Sequence, residues 1–214
     1  MTQQLQVSPS DTFDQSTIEK AAKVLVWSEN GDSVTFGSLF EKQKTIVVFI
    51  RHFLCGACKT YVEELAKVPK SALDAAGTRI VVGGCGDWPV IKLYREHTGF
   101  TSEIYAEPTR TLHRILELGA TMRVSGGAPI RRYAPNLFFT TVKSFGTQRL
   151  LANLSLYPKI GDTAQRGGDF VCGPGLDITY GRRMVNNVDH IDVPELMQVA
   201  GVAYTGDEDA QAAS

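Results

Sequence analysis

The feature that most constrains this sequence is an apolar, β-branched run that leads into a pair of cysteines. Residues 45–50 read Thr-Ile-Val-Val-Phe-Ile without polar alternation, which is typical of a strand buried on both faces. Cys55-Gly56-Ala57-Cys58 follows shortly after, and apolar residues then recur at helical spacing through Ala66. A strand–CxxC–helix arrangement places both thiols at the carboxyl edge of a sheet, where α/β proteins tend to keep their functional groups.

The rest of the chain alternates strands with helices. Further strands are predicted at 23–27, 33–36, 79–83, 102–106, 168–172 and 178–183, and further helices at 87–98, 108–116 and 193–200. This order predicts an α/β sandwich with a mixed central sheet flanked by helices. We expect a single domain over 18–204, with a helical or loop insertion at 119–165 that includes a helix around Leu137–Leu151. Disordered polar tails are expected at 1–17 and 205–214.

Charge and apolar runs exclude several functional classes. The 22 basic and 23 acidic residues give a net charge of −1, so the sequence lacks the excess of positive charge expected of a protein that binds nucleic acid or an anionic membrane surface. Apolar runs are too short to span a bilayer, and the N-terminus lacks the basic start and apolar stretch of a secretory signal. We therefore expect a cytoplasmic protein, in which a CxxC pair is redox-active or metal-binding rather than a structural staple.

The two cysteines of the motif are predicted to play different chemical roles. Cys55 lies at the helix cap, where unpaired N–H groups and the helix dipole stabilise a thiolate and the chain turns toward solvent. Such contexts lower a cysteine pKa from about 8.5 to roughly 3.5–7.5. Cys58 falls on the buried helix face with Tyr61 and Leu65. We hypothesise that Cys55 is the nucleophile and that Cys58 resolves the sulfenate or mixed disulfide formed on it.

Other side chains near the motif leave alternatives open. Arg51 would favour a thiolate and His52 would shuttle a proton, unless both side chains point to solvent. Cys85, after the second buried strand, is either an auxiliary thiol or a buried apolar residue, and Cys172 is expected in the core. The remaining histidines and cysteines lack the short spacing of a zinc site. Two ordinary core cysteines or a zinc site are the alternatives to a redox pair.

Several stretches resemble the peroxiredoxin-like 2 family, also called the AhpC/TSA antioxidant-enzyme proteins. They are Phe49-Ile50-Arg51-His52-Phe53-Leu54-Cys55-Gly56-Ala57-Cys58, residues 61–69, 98–100, 103–105 and 165–175, in order over about residues 20–200. The resemblance implies a thioredoxin-like three-layer sandwich and thiol-based redox activity. One branch of the family looks like an NADPH- and thioredoxin-coupled reductase of a prostaglandin endoperoxide. The resemblance also implies that Arg166, in Arg-Gly before a strand, stabilises the thiolate or an oxyanion.

The sequence departs from true peroxiredoxins and from thioredoxins. Val48 and His52 stand where the peroxiredoxin pattern PxxxTxxC has proline and threonine, and Gly167-Gly168 stands where thioredoxins place a cis-proline. We expect a CxxC dithiol that reduces a peroxide, endoperoxide or disulfide, with Cys55, Cys58, Arg166 and His52 as catalytic residues.

The partners expected are a small-molecule peroxide or other organic substrate and an external thiol reductant. That reductant is thioredoxin or glutathione, supplied ultimately by NADPH, and no bound cofactor or metal is expected. Two alternatives stay open: a biosynthetic enzyme acting on a specific organic metabolite on the same scaffold, and a non-catalytic redox-sensing interaction module. A homodimer is open as well.

Overall fold

A seven-stranded mixed sheet forms the centre of the fold. The computed structural model describes residues 10–120, residue 133 and residues 154–206. Within them the strands are β1 (Leu25–Trp27), β2 (Ser33–Thr35), β3 (Lys44–Phe49), β4 (Thr78–Gly84), β5 (Glu103–Ala106), β6 (Gly168–Cys172) and β7 (Ile178–Arg183). They lie side by side in the order β2-β1-β5-β4-β3-β6-β7. The mixed sheet predicted from the alternation of strands and helices is therefore confirmed.

Strand β3 occupies the interior of the sheet, as its apolar run predicts. It pairs in parallel with β4, with Val47 opposite Val81, and antiparallel with β6, with Val48 opposite Asp169. Its residues from Ile46 to Phe49 are no more than 2% exposed. Burial on both faces explains why the run has no polar alternation.

Helices cover both faces of the sheet. They are α1 (Gln15–Ala22), α2 (Gly56–Leu65), α3 (Lys70–Ala75), α4 (Ile91–Thr98), α5 (Thr111–Ile115) and α6 (Val193–Val199), with 3-10 turns at Phe36–Leu39, Trp88–Val90 and Leu154–Lys159. Ile46 and Val48 face the layer that holds α2, α4 and α6, whereas Val47 and Phe49 face the layer that holds α1 and α5. Among the residues described, no helix is both long and apolar enough to cross a membrane.

The N-terminal tail predicted over 1–17 extends too far into the chain. Helix α1 begins at Gln15, and the Asp14 carboxylate caps it by accepting a hydrogen bond from the Thr17 backbone N–H (2.9 Å). The Asp11 N–H donates to the Gly181 carbonyl (2.6 Å), which ties this segment to β7. Polar residues here serve as caps and edge contacts, so their composition resembles that of a tail. Residues 1–9 and 207–214 lie outside the described residues.

Two further predictions concern helices. Helix α2 ends at Leu65, close to the predicted end at Ala66, and Pro69 precedes α3, a short helix that is not predicted from the sequence. The predicted helix around Leu137–Leu151, with most of the insertion at 119–165, lies outside the described residues. At the end of α4, Gly99 adopts a left-handed conformation (φ 67°), as expected of a glycine that follows a helix.

Candidate active site

The CxxC motif lies at the carboxyl end of β3, as the sequence predicts. Cys55 is the N-cap of α2 with an extended backbone, and Cys58 lies in the first turn of that helix. The Cys58 backbone N–H donates to the Cys55 sulfur at 3.3 Å. A side chain in this position satisfies one of the N–H groups that every helix start leaves unpaired. Both thiols are free, and they lie within one helical turn of each other.

The environments of the two thiols separate their pKa values. Hydrogen bonding with the Cys58 side chain has the largest influence on the pKa of Cys55 and lowers it. Burial opposes this, the Arg51 charge and the Cys58 backbone N–H support it, and the resulting pKa is about 6. Burial, followed by the interaction with Cys55, raises the pKa of Cys58 well above its usual value. Near neutral pH the pair therefore carries a thiolate on Cys55 and a thiol on Cys58, the division that the nucleophile and resolving roles require.

Cys55 is more enclosed than predicted. Its position at the helix cap predicts that it faces solvent, but Cys55 is only 4% exposed. The reason is Arg51, whose guanidinium lies against the Cys55 sulfur, with Nη1 at 3.5 Å.

Arg51 turns inward and contacts both halves of the motif. Its backbone N–H donates to the Cys58 sulfur (3.4 Å) while its Nη1 donates to Cys55. Its Nε donates to the Gln165 carbonyl (3.2 Å) and its Nη2 to the Thr163 carbonyl (2.6 Å). A buried guanidinium requires such partners because an unpaired charge is costly to bury. Of the two arrangements left open by the sequence, the structure has the one in which Arg51 favours a thiolate.

His52 is buried and holds the turn before the motif. Its Nδ1 accepts a hydrogen bond from the Leu54 backbone N–H (3.3 Å). Burial, and then the neighbouring Arg51 charge, lowers the pKa of His52 to about 4. The imidazole is therefore neutral near pH 7, and the proton-shuttle role stays a prediction.

Arg166 does not take the position that the resemblance implies for it. Its Nη1 donates to the Val185 carbonyl (3.1 Å), and its guanidinium lies so close to Gly119 that a Cβ there would collide with it. The guanidinium in contact with the Cys55 sulfur is that of Arg51. The guanidinium beside the Cys55 sulfur thus belongs to a residue four positions before Cys55, and the thiolate- or oxyanion-stabilising role implied for Arg166 stays a prediction.

The other two cysteines lie at different ends of the sheet. The Cys85 thiol follows β4 and donates to the Arg51 carbonyl (3.1 Å), so the carboxyl edge brings it next to the site, and burial raises its pKa to about 11. Cys172 is fully buried in β6 opposite Thr45, and burial raises its pKa as well. Cys172 is a core residue, as predicted.

A layer of buried aromatic and ionisable residues that was not predicted from the sequence lies behind the motif. The Tyr94 hydroxyl on α4 is buried without a hydrogen-bond partner among the described residues, and burial and nearby Cys58 and Cys55 raise its pKa. The Tyr61 ring stacks on the His190 ring with centroids 4.4 Å apart. His190 Nδ1 in turn lies 2.8 Å from an Asp169 carboxylate oxygen. In the sequence, the charged residue Asp169 within the otherwise apolar β6 was the feature that could have pointed to this layer.

The described residues do not form a metal site. Over residues 10–120, 133 and 154–206, no three His, Cys, Asp or Glu side chains are grouped so that they could hold a metal ion.

Comparison with known proteins identifies similar sequences and folds. Residues 64–186 match the family described as AhpC/TSA antioxidant enzyme, a region that begins just after the CxxC. The chain is 35% identical over 181 residues to Peroxiredoxin-like 2C of Mus musculus, covering 85% of this chain and 79% of that protein.

Solved structures of other proteins share the fold. Peroxidoxin BcpB from Mycobacterium tuberculosis superposes with a TM-score of 0.54 at 8% identity, over 83% of this chain and 89% of the other. Peroxiredoxin Q of Xanthomonas campestris gives a TM-score of 0.56 at 11% identity, over 86% and 90%. At such identities the likeness concerns the fold, and it confirms the thioredoxin-like sandwich expected from the sequence.

Proposed function

The chain belongs to the peroxiredoxin-like AhpC/TSA antioxidant enzyme family, and from that premise we propose that its Cys55–Cys58 pair reduces an organic peroxide. Membership of the family supports a thiol-dependent redox function. The observation that carries the assignment to this pair is the opposite direction of the two pKa shifts within one helical turn. No other thiol among the described residues has a pKa below its ordinary value.

The first step is attack by the Cys55 thiolate on the peroxide. The sulfur bonds to one peroxide oxygen, the O–O bond breaks, and the other oxygen leaves as an alkoxide that takes a proton from water. Cys55 is oxidised to the sulfenic acid while the peroxide is reduced to an alcohol. The Arg51 guanidinium, 3.5 Å from the sulfur, stabilises the thiolate before the attack.

The second step is resolution by Cys58. Its sulfur attacks the sulfenic sulfur, a disulfide forms, and the hydroxyl leaves with the Cys58 proton as water. Spacing within one turn is compatible with a disulfide because it keeps the two Cα atoms within the range that the bond tolerates. An external dithiol or glutathione then reduces the disulfide by exchange, and NADPH is the ultimate electron source. This scheme fits a reducing, cytoplasmic compartment.

Intact mass spectrometry of the reduced protein after one equivalent of cumene hydroperoxide tests the assignment. Wild type is expected to lose two hydrogens, in a bridge that peptide mapping assigns to Cys55 and Cys58. Cys58→Ser is expected to stop at the sulfenic acid, which gains one oxygen and reacts with dimedone. Cys55→Ser is expected to stay unmodified, and Cys172→Ala, which removes a core thiol, should behave as wild type.

Steady-state turnover with a thioredoxin system then separates the alternatives. Multiple turnovers on several hydroperoxides support the proposal, and turnover confined to one bulky metabolite favours a biosynthetic enzyme on the same scaffold. A disulfide that forms once without turnover with either reductant favours a redox-sensing module. If Cys55→Ser is oxidised as fast as wild type, the assignment of the nucleophile is wrong.

A further inference from the structure

A recess is formed by α5, by the residues that flank it and by Gln165. It is a cleft of about 490 Å³, and the described residues that line it are Arg110, His113, Arg114, Glu117, Leu118, Gly119, Ala120 and Gln165. This volume falls within the range of small-molecule sites, which is about 300–1,000 Å³. The lining combines two arginines with a short apolar stretch, so it suits a small molecule that has one charged end and one apolar part.

His113 is the feature that marks the cleft as a binding site rather than a surface irregularity. The residue is 1% exposed, yet neither ring nitrogen has a hydrogen-bond partner among the described residues. Its ring packs edge-on against Phe49 of β3, with centroids 5.4 Å apart. Buried polar groups in native proteins are nearly always paired, so an unpaired imidazole that lines a cleft indicates a missing partner.

The charge around this imidazole favours an anionic partner. Arg114 is exposed and uses Nη1 and Nη2 for the Thr109 carbonyl and the Thr111 hydroxyl, while Arg110 pairs with Asp162. Each guanidinium has five N–H donors, so both retain donors for a ligand. The carboxylate on the lining is Glu117, which is 77% exposed and lies 3.4 Å from an Arg183 nitrogen.

Burial and the charges of Arg110 and Arg114 lower the pKa of His113 to about 3. The ring is therefore neutral near pH 7, with one N–H to donate and one nitrogen to accept.

The cleft is joined to the thiol site through one residue. The Gln165 side chain lines the cleft and donates to the carbonyls of Leu118 (2.6 Å) and Gly119 (3.0 Å). The Gln165 carbonyl accepts the hydrogen bond from Arg51 Nε. A ligand in the cleft would therefore contact the residue that positions the cation beside Cys55.

We propose that this cleft binds the carboxylate of a small organic acid, with Arg114 and Arg110 supplying the charge and His113 a ring N–H donor. The acid is either the acid end of the peroxide substrate or a separate ligand. Both sources present the same carboxylate to the cleft, and they are distinguished below.

Calorimetric titration of the reduced wild-type protein with butanoate, octanoate and dodecanoate at millimolar concentration tests the binding without any redox reaction. Saturable binding of at least one of them is expected, with no binding of the corresponding alcohol. Arg114→Gln is expected to weaken the affinity by about tenfold or more, because a charge-assisted hydrogen bond is lost. Lys70→Gln, which removes the same charge from an exposed position on α3, should bind as wild type.

His113→Phe separates binding from folding. Phenylalanine keeps the ring against Phe49 but removes the unpaired nitrogens, so the melting temperature is expected to stay the same or rise while the affinity for the acid falls. Absence of saturable binding by all three acids would overturn the proposal. Equal affinities for acid and alcohol, or no effect of both Arg114→Gln and His113→Phe, would overturn it as well.

Further measurements distinguish a carboxylate of the substrate from that of a separate ligand, and this part of the test rests on the proposed peroxide reduction. If the acid belongs to the substrate, Arg114→Gln raises KM for a carboxylated alkyl hydroperoxide and leaves that for its methyl ester unchanged. If it belongs to a separate ligand, octanoate changes the alkylation rate of Cys55 in wild type but not in Arg114→Gln. Failure of peroxide reduction would leave the calorimetric result standing, so the two proposals fail separately.

Discussion

The two ends of strand β3 bury cysteines to a similar degree and give them opposite chemistry. At the amino end, Cys172 pairs with Thr45 and is fully buried in an apolar layer. At the carboxyl end, Cys55 is 4% exposed, yet its pKa falls to about 6 whereas that of Cys172 rises. Burial alone penalises a thiolate at both ends.

Directed donors account for the difference between the ends. Hydrogen bonding with the Cys58 side chain is the largest influence that stabilises the Cys55 thiolate and exceeds the effect of burial, and the Arg51 charge and the Cys58 N–H add to it. For Cys172, burial and the charge of Asp177 both act against the thiolate. A reactive cysteine in this fold is therefore defined by the donors aimed at its sulfur, and its exposure is a poor guide.

The largest expected difference between the two cysteines is in how they make stability depend on pH. Because folding lowers the pKa of Cys55 from about 9 to about 6, its contribution to stability is complete above pH 9 and disappears as the pH falls through 6. The difference in the free energy of unfolding between wild type and Cys55→Ser should grow by on the order of 2–4 kcal/mol from pH 5 to pH 9. Urea unfolding of the reduced proteins across that range measures it.

The same difference for Cys172→Ser is the control for that experiment, and it should be flat from pH 5 to about pH 8 because Cys172 stays protonated in both states there. A flat difference for Cys55→Ser would show that Cys55 is no more acidic than a free cysteine.

Removal of Arg51 should make the carboxyl end behave more like the amino end. Arg51→Met is expected to raise the pKa of Cys55 by about one unit, which slows its alkylation by iodoacetamide about tenfold at pH 5, where the thiolate is the minor form, and only about twofold at pH 7. Arg51→Lys keeps a positive charge but loses the fork that binds the Thr163 and Gln165 carbonyls, so an intermediate rate is expected.

Arg166→Met tests the competing assignment in the same assay. Its guanidinium bonds to the Val185 carbonyl, so the Cys55 alkylation rate should equal that of wild type. A large loss of rate in Arg166→Met together with a normal rate in Arg51→Met would restore the role that the family resemblance implies for Arg166.

A substitution at the amino end itself should change stability without changing the reactivity of Cys55. Cys172→Ser buries a hydroxyl in an apolar layer and should lower the free energy of unfolding by about 1–3 kcal/mol while leaving Cys55 alkylation unchanged. Urea unfolding and alkylation of the same samples provide both measurements. A slower alkylation of Cys55 in this variant would mean that the two ends of β3 are coupled through the strand.

Much of the fold around the site could be predicted because its signals are local. The apolar run of β3, the start of α2 at the CxxC and the glycine after α4 are each specified by residues close together in sequence. Helix α1 was missed because its eight residues are largely polar and its cap lies in a segment whose composition resembles that of a tail. Helix α3 was missed because its six residues are too few for a clear period.

The sequence by itself determined where the thiols lie and which of them heads the helix. A cap position and a helical period are properties of neighbouring residues, so Cys55 and Cys58 could be assigned different environments before any contact was known. The tertiary structure decided which cation reaches the Cys55 sulfur. Arg51 is held there by carbonyls of Thr163 and Gln165, more than 100 residues away in the chain. No local pattern encodes a contact between such distant segments, because it exists only once β3, β4 and β6 bring them to the same edge of the sheet.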